Sequence, residues 1–196
     1  MSNINITSIA IIGCGFVADY YLTTLKNYPE LKITGVYDLD LARSQDFAQH
    51  HGVEIYQSLD ELLSDRQVQL VVNLTNPKSH FEINLACLLA DKHVYSEKPL
   101  AMKLEEAEKL VAIAEQKGLH LSSAPCSLLG ETAQTIWKAL REEIVGKVYV
   151  VYSEMDDGLV HKMPYQAWVS QSGTPWPYKD EFEVGCTMEH AGYYLS

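Results

Sequence analysis

The chain contains 196 residues, of which 47% are hydrophobic and 21% are charged, and these fractions exclude disordered, collagen-like and coiled-coil proteins. Its 26 acidic and 15 basic residues give a net charge of −11, which repels a phosphate backbone, so we expect no nucleic-acid partner. No apolar run is long enough for a membrane span, the amino terminus lacks the basic region of a signal peptide, and the 4 cysteines form no CxxC pair. We therefore expect a cytoplasmic protein with free thiols and no membrane contact.

Six short apolar runs alternate with amphipathic segments over the first 122 residues. The runs predict strands over 6–12, 31–37, 53–56, 68–74, 93–96 and 119–122. Helices are predicted to begin near Ala18, Asp40, Ser58, Pro77 and Leu104, and the last of them is expected to end before Gly118. Strands that alternate with helices indicate an α/β protein with a doubly wound parallel sheet, covered on both faces.

From residue 123 the pattern changes. The sequence predicts a helix over 131–143, a half-exposed strand over 147–154, and a helix over 189–195 with which the sequence ends. The loop between the last two is rich in Gly, Pro, Trp and Tyr, and either covers a substrate pocket or packs against further chain. We divide the chain into one complete domain, residues 1–122, and the incomplete start of a second domain, residues 123–196.

The first strand is followed by the glycine-rich sequence GCGFVA, residues 13–18, which we call the glycine loop. Gly13 allows a tight turn, Gly15 lets the backbone approach a pyrophosphate, and Ala18 permits close packing of helix and strand. Phe16 and Val17 lie where the helix begins, and a helix amino terminus favours phosphate groups. The pattern predicts a dinucleotide-binding loop.

Asp38 ends the second strand, 25 residues after Gly13. A carboxylate at this place can accept hydrogen bonds from an adenosine ribose and repels a 2′-phosphate, which favours NAD over NADP. The alternative is that Asp38 only caps the following helix.

Two further motifs follow strands at the carboxyl edge of the predicted sheet, where open α/β sheets bind their ligands. The first is Thr75-Asn76-Pro77, in which Asn76 can also be a simple turn former, and His80 one turn later can be a capping or surface histidine. The second is Glu97-Lys98-Pro99, whose lysine can hydrogen-bond a substrate hydroxyl or exchange a proton.

The succession GCGFVA, YDLD and TNPKSHFEINLACLLADKHVYSEKPLA resembles the glucose–fructose oxidoreductase/inositol dehydrogenase (Gfo/Idh/MocA) family, from residue 6 to about residue 122. The resemblance implies a Rossmann domain that binds a nicotinamide dinucleotide, followed by an α/β domain with an open, mainly antiparallel sheet. In the family that sheet commonly forms an oligomer face, so a homo-oligomer is possible for the full-length protein. The resemblance also implies that Lys98 lies beside the nicotinamide and the reacting hydroxyl. It implies further that Glu97 and Pro99 shape its turn, that Thr75, Asn76 and Pro77 line the cofactor, and that His80 lies nearby.

The family's second signature is a helix that begins near a glycine and carries Asp and, four residues later, His. The corresponding sequence here is GCTMEHAGYY, in which Glu189 and Tyr193 occupy those two positions and share one helix face. His190 competes with Tyr193 as the acid/base group, because imidazole titrates near neutrality, although it lies about 100° around the helix. We favour Tyr193 and leave the choice open. Cys186 and His190 alone are too few for a metal site, and we expect no metal.

These residues imply an NAD(P)-dependent oxidoreductase that moves a hydride between nicotinamide and a hydroxyl-bearing carbon of a sugar, cyclitol or sugar derivative. Lys98 would polarise the alkoxide, Tyr193 or His190 would exchange the proton, and Glu189 would orient substrate hydroxyls. The alternative is a dinucleotide-binding sensor or regulator without catalysis, or an inactive fragment of such an enzyme.

Overall fold

A computed structural model of the chain describes residues 6–124, 127–152, 154 and 158–195. Its centre is a parallel sheet of five strands: β1 Thr7–Ile12, β2 Leu31–Tyr37, β3 Leu70–Asn73, β4 His93–Ser96 and β5 Leu121–Ser123. The strands lie in the order β2-β1-β3-β4-β5, and every pairing is parallel.

Five helices accompany the sheet: α1 Ala18–Leu25, α2 Leu41–His51, α3 Leu59–Ser64, α4 Pro77–Leu89 and α5 Leu104–Lys117. Three more follow it: α6 Glu131–Arg141, α7 Tyr178–Val184 and α8 Cys186–Leu195. The end of α5 agrees with the prediction, because Gly118 adopts the left-handed conformation (φ +65°) that closes many helices. Within the described residues, none of the helices has the length and apolar character needed to cross a membrane.

Both faces of the sheet are buried, which confirms the doubly wound α/β class. Alternate residues of β1 point to opposite faces, so Ile9 and Ile11 belong to one core and Ala10 and Ile12 to the other. The first core also contains side chains of α1 and α2, namely Ala18, Leu22, Phe47 and Ala48. The second contains side chains of α3, α4 and α5, namely Leu62, Cys87, Leu88, Leu110 and Ala114.

The strand order determines where a ligand can enter. β2 lies on one side of β1 in the sheet and β3 lies on the other side. The connections that follow β1 and β3 therefore run in opposite directions from the carboxyl ends of these two strands. Open α/β sheets bind ligands at this kind of divergence. The glycine loop, Thr75 and Lys98 all follow strands at that edge.

Two of the predicted strands are wrong. Residues 53–56 make only one parallel bridge, between Val36 and Ile55, and then turn so that the Tyr56 side chain enters a core. The described residues of 147–154 form no strand, because none of the described strands pairs with them, and Val150 is 84% exposed.

The buried apolar side chains of the described residues all lie between Ile9 and Ala124. Beyond them, Ser170 is the one buried side chain in the part of the chain that the structure describes. Both cores therefore lie among the sheet, its first five helices and the loops that join them.

Candidate active site at the carboxyl edge of the sheet

The glycine loop fits tightly against the end of β3. Gly13 has φ +97°, and a Cβ atom built on it would lie 2.7 Å from the carbonyl carbon and oxygen of Leu74. A side chain at this position would force the two strand ends apart, so glycine is required. A Cβ on Gly15 would meet nothing within 4 Å, so this glycine borders open space. Ala18 is completely buried against the sheet, as its position in the fingerprint predicts.

The Asp38 side chain binds the glycine loop and does not cap the amino-terminal end of α2. One of its carboxylate oxygens accepts the backbone N–H of Cys14 at 2.8 Å, and the other accepts the N–H of Asp40 at 2.8 Å. The side chain that caps α2 is Asp40, which accepts the N–H groups of Ala42 and Arg43. The helix-cap alternative for Asp38 is therefore wrong. The Arg43 guanidinium lies 3.5 Å from the oxygen that binds Cys14.

The cysteines whose side chains the structure describes are buried free thiols, Cys14 and Cys87. Burial, and then the Asp38 charge, raise the pKa of Cys14 to about 12, and burial raises that of Cys87 to about 12. Both stay protonated and unreactive near neutrality. Cys126 and the side chain of Cys186 lie outside the described residues.

A chain of buried amides connects the loops that follow β3 and β4. The Thr75 hydroxyl donates to Asn73 Oδ1 at 2.7 Å, and the Asn73 amide donates to Asn84 Oδ1 at 2.8 Å. The Asn84 amide in turn donates to the Ser96 hydroxyl at 3.0 Å. Because these groups are buried and mutually satisfied, they hold the two loops in fixed relative positions.

His80 is completely buried on α4 and joins the same two loops. Its Nε2 lies 2.8 Å from the Thr75 carbonyl oxygen, and its Nδ1 lies 2.6 Å from the Pro99 carbonyl oxygen, directly after the cis Lys98-Pro99 bond. The structure thus places His80 behind the loops, where it positions them, and neither at the surface nor in a cavity wall.

Lys98 is directed across the cleft toward α8. Its ammonium forms an ion pair with Glu189 and lies 5.6 Å from the centroid of the Tyr193 ring. The side chains of Lys98 and Glu189 are only 14% and 18% exposed, so water screens the pair little. Glu97 accepts both the Lys98 backbone N–H at 3.0 Å and the Tyr21 hydroxyl at 2.7 Å.

A residue that sequence reasoning missed lies beside this pair. Gly185 (φ +78°) separates α7 from α8, and the turn brings Glu181 of α7 against Glu189 of α8. Burial, and then the hydrogen bond and charge of Glu189, raise the pKa of Glu181 to about 8. No local pattern marks Glu181, because the contact arises only when the two helices meet.

These residues surround a cavity of about 510 Å³. Most of the predicted site residues line it: Gly15, Phe16, Val17, Thr75, Asn76, Pro77, Glu97, Lys98, Glu189 and Tyr193. Pro175, Trp176 and Pro177 also line it, and they belong to the loop predicted either to cover a substrate pocket or to pack against further chain. The remaining wall residues were not predicted as ligand-binding: Tyr20, Arg43, Thr174, Asp180 and Glu181.

An adjoining cavity of about 320 Å³ shares Gly15, Arg43 and Thr75 with the first, and its wall contains Gly13 and Asp38. Four predicted residues line neither cavity: Ala18, His80, Pro99 and His190. Arg43 did carry a sequence signal, since it is a cation in the first turn of the helix that follows Asp38.

Part of the cavity wall comes from residues 168–177, which we call the cover segment. Asp19 of α1 holds it, since one carboxylate oxygen accepts the Ser172 N–H at 3.0 Å and the Ser172 hydroxyl at 2.8 Å. The other oxygen contacts His51 Nε2 at 2.5 Å. Burial alone would raise the pKa of Asp19, but hydrogen bonds from Ser170, Ser172 and His51 together lower it.

The cover segment lines the cavity and also packs against aromatic rings of its own half of the chain. Trp176 borders the cavity and also lies against the rings of Tyr165, Trp168 and Phe182.

Asp19, His50 and His51 bring their ligand-type atoms within 4.8 Å of one another. The carboxylate of Asp19 already contacts His51 directly, so this group has a partner without a metal ion. The predicted weak pair, Cys186 and His190, involves a side chain outside the described residues.

The family model of the Gfo/Idh/MocA oxidoreductases, which describes an NAD-binding Rossmann fold, matches residues 7–124. The chain belongs to this family. The match covers the sheet, the glycine loop and the Glu97-Lys98-Pro99 turn, and so confirms the resemblance stated from the motifs.

Relatives of this Gfo/Idh/MocA chain include an uncharacterised oxidoreductase of Synechocystis sp., 33% identical over 115 residues, which are 58% of this chain and 31% of the relative. Trans-1,2-dihydrobenzene-1,2-diol dehydrogenase of Bos taurus is 28% identical over 166 residues, which are 83% of this chain and 50% of the enzyme. The chain thus spans half or less of the length of these relatives.

Solved structures of similar fold include the WlbA dehydrogenase of Chromobacterium violaceum in complex with NADH and UDP-GlcNAcA. It is 25% identical, with a TM-score of 0.69 over 76% of this chain and 43% of that one. The 3-ketoreductase KijD10 of Actinomadura kijaniata, in complex with TDP-benzene and NADP, is 28% identical, with a TM-score of 0.65 over 71% of this chain and 45% of that one.

Proposed function

We propose that this chain forms the cofactor-binding part of an NAD-dependent oxidoreductase, which transfers a hydride between nicotinamide and a hydroxyl-bearing carbon of a sugar, cyclitol or sugar derivative. The observation that carries the proposal is the cavity of about 510 Å³, which has the glycine loop in one wall and the ion pair of Lys98 and Glu189 in another.

The residues present fit a dinucleotide. Gly15 borders open space where a side chain would protrude, and Phe16 and Val17 of the glycine loop line the cavity where α1 begins. Asp38 lines the adjoining cavity, within reach of a ribose, and its charge disfavours a 2′-phosphate. Arg43 beside it reduces that effect, so we propose a preference for NAD rather than an exclusion of NADP.

When bound, the nicotinamide accepts or supplies the hydride. Lys98 would donate a hydrogen bond to the substrate oxygen and stabilise the negative charge that develops there. Tyr193, whose ring faces the Lys98 ammonium in the cavity wall, would exchange the hydroxyl proton, and Glu189 would orient Lys98 and the substrate. We prefer Tyr193 over His190 for this role because His190 does not line the cavity.

The substrate class rests on the Lys98 site together with the relatives. Their names and complexes include a dehydrogenase of a cyclic vicinal diol, a dehydrogenase bound to UDP-GlcNAcA and a 3-ketoreductase. A carbon that carries a hydroxyl or keto group is shared by these chemistries, and it is the group that Lys98 would recognise.

We propose further that residues 123–196 begin a second domain that supplies the substrate side of the cavity. Support comes from the apolar side chains that this part exposes, including Ile136, Trp137 and Leu140 of α6 and Val150, which is 84% exposed. Exposed apolar side chains that are grouped on one helix, as on α6, typically pack against further protein.

The proposal is tested by fluorescence titration of the chain with NADH and with NADPH, using the natural sequence and Asp38→Ser. We expect saturable binding with NADH the tighter ligand, and a smaller difference between the two cofactors in Asp38→Ser. Absence of binding by a chain that circular dichroism shows to be folded would contradict the proposed cofactor site. An unchanged ratio in Asp38→Ser would remove Asp38 from cofactor selection. A screen of sugars and cyclitols with NAD then identifies the substrate.

A further inference from the structure

Two buried carboxylate oxygens face the cleft without a hydrogen-bond donor among the described residues: Glu181 Oε2 and Glu189 Oε2. Buried polar atoms almost always have a partner, because an unsatisfied buried group loses its hydrogen bonds to water without replacement. The other oxygen of Glu189 is occupied by the Lys98 ammonium. Each of the two oxygens therefore lacks a proton donor.

The two side chains are placed to satisfy each other. Glu181 and Glu189 line the same cavity with their carboxyl groups close enough to influence each other, yet two ionised carboxylates only accept hydrogen bonds. One proton between them supplies the missing donor and removes the repulsion of two like charges. The other charged groups that face Glu181 are Lys98, which favours its ionised form, and Glu97, which opposes it.

We propose that Glu181 and Glu189 share one proton and form a proton reservoir behind Lys98, with Glu181 as a positioning residue that acts through Glu189 and Lys98. The raised pKa of Glu181 agrees with a proton held near neutrality, because burial and the neighbouring carboxyl both disfavour a second negative charge. The role in turnover rests on the proposed function, whereas the shared proton does not.

In carbonyl reduction the reduced nicotinamide would supply the hydride for the new C–H bond and become oxidised. The carbonyl π electrons would move to oxygen, and the Tyr193 O–H bond would break as the substrate O–H bond forms. The phenolate then takes a proton from the Lys98 ammonium, and neutral Lys98 takes the shared proton of the glutamate pair. Water returns one proton to the pair, and alcohol oxidation follows the reverse order.

The shared proton is tested directly by infrared spectroscopy of the chain, without substrate. We expect a protonated-carboxyl band at neutral pH that disappears near pH 8, the pKa of Glu181, and that is absent from Glu181→Gln at neutral pH. The glutamine amide can donate to Glu189 in place of the acid, so the variant keeps the hydrogen bond and loses the proton. Glu183→Gln is the matched control, because Glu183 lies on the same helix but is exposed and paired with Lys78. A band that persists in Glu181→Gln, or that is missing from the natural chain, overturns the shared proton.

The relay role is tested by the pH dependence of reduction with the substrate from the screen. In the natural protein, turnover should decrease as the pH rises through about 8, and we call this decrease the alkaline limb of the pH profile. In Glu181→Gln the alkaline limb should be absent, and KM for the cofactor should stay unchanged. Glu181→Asp should restore part of the limb, and Glu183→Gln should leave the profile unchanged. If Glu181→Gln lowers turnover equally at every pH, Glu181 is structural and the relay is overturned. Failure to find any turnover would contradict the proposed function, and the infrared result would still decide the shared proton.

Discussion

The direction of the Lys98 side chain is determined by contacts at both of its ends. Its backbone N–H donates to Glu97, its ammonium pairs with Glu189, and the Tyr193 ring lies beneath the charge. Because the ammonium is largely shielded from water, it is suited to stabilise charge on a substrate oxygen.

At this scale we predict that Lys98→Ala lowers turnover on the order of 10²–10³-fold, the usual cost of losing one such donor. Affinity for NADH should stay within about three-fold, less than the ten-fold change that 1.4 kcal/mol produces, since the lysine acts on the substrate oxygen. Steady-state kinetics and NADH fluorescence measure the two effects. Lys78→Ala serves as the control, because Lys78 also pairs with a glutamate but is 61% exposed. Unchanged turnover in Lys98→Ala would exclude the lysine from the reaction.

Single residues differ in how far the sequence predicts them. The four-residue spacing of Glu189 and Tyr193 is visible in the sequence, and both residues do line the cavity. The burial of His80 depends on two carbonyl groups from loops 5 and 19 residues away, which no local pattern reveals. Glu181 was missed for the same reason, since its partner lies on another helix.

Among the elements, the cover segment depends on a contact with α1. Asp19 on α1 holds Ser172 with one oxygen and contacts His51 with the other, and the adjacent residues 174–177 form part of the cavity wall. This α1 side chain therefore influences the shape of the site from outside it.

We predict that Asp19→Asn lowers the free energy of unfolding by about 1–3 kcal/mol, because the amide cannot accept from both sides and leaves a buried group unsatisfied. NADH affinity should fall as well, since the wall loosens. Urea unfolding and NADH titration measure the effects, with Asp46→Asn on the exposed face of α2 as control. Equal stability of Asp19→Asn and the natural chain would mean that the cover segment is held by other contacts.

Asp19 also makes the stability of the folded chain depend on pH. Because the pKa of Asp19 is lower in the folded chain, its contribution to stability is complete above the unfolded-state pKa of about 3.9 and is lost as the pH falls through the folded-state value. Asp19→Asn should accordingly show a smaller loss of stability below about pH 4 than the natural chain.

The sequence predicts the helices better than the strands. All of the predicted helices exist, because each combines an apolar stripe with start or stop signals in its own sequence. The two strands that failed, 53–56 and 147–154, have the right residue types but need partners, and strand pairing is not local.

At the scale of the whole molecule, both cores of the described chain lie against the sheet, and the residues after Ala124 contribute almost no buried side chains. We predict that a fragment of residues 1–124 still unfolds cooperatively, because both sheet cores lie within it. It should bind NADH more weakly, since it lacks the cover segment and α8. Thermal unfolding followed by circular dichroism checks the first point, and absence of a cooperative transition would show that residues 125–196 are needed for folding.

Polar and ionic contacts join α7 and α8 to the start of α4 and to the loop after β4: Asn76 with Asp180, Lys78 with Glu183 and Lys98 with Glu189. Added salt screens exposed ion pairs but affects shielded ones much less. As ionic strength rises, the exposed pair of Lys78 and Glu183 should therefore weaken before the shielded pair of Lys98 and Glu189 does. Added salt should thus loosen the contact of α7 with α4 while the contact of α8 with Lys98 persists.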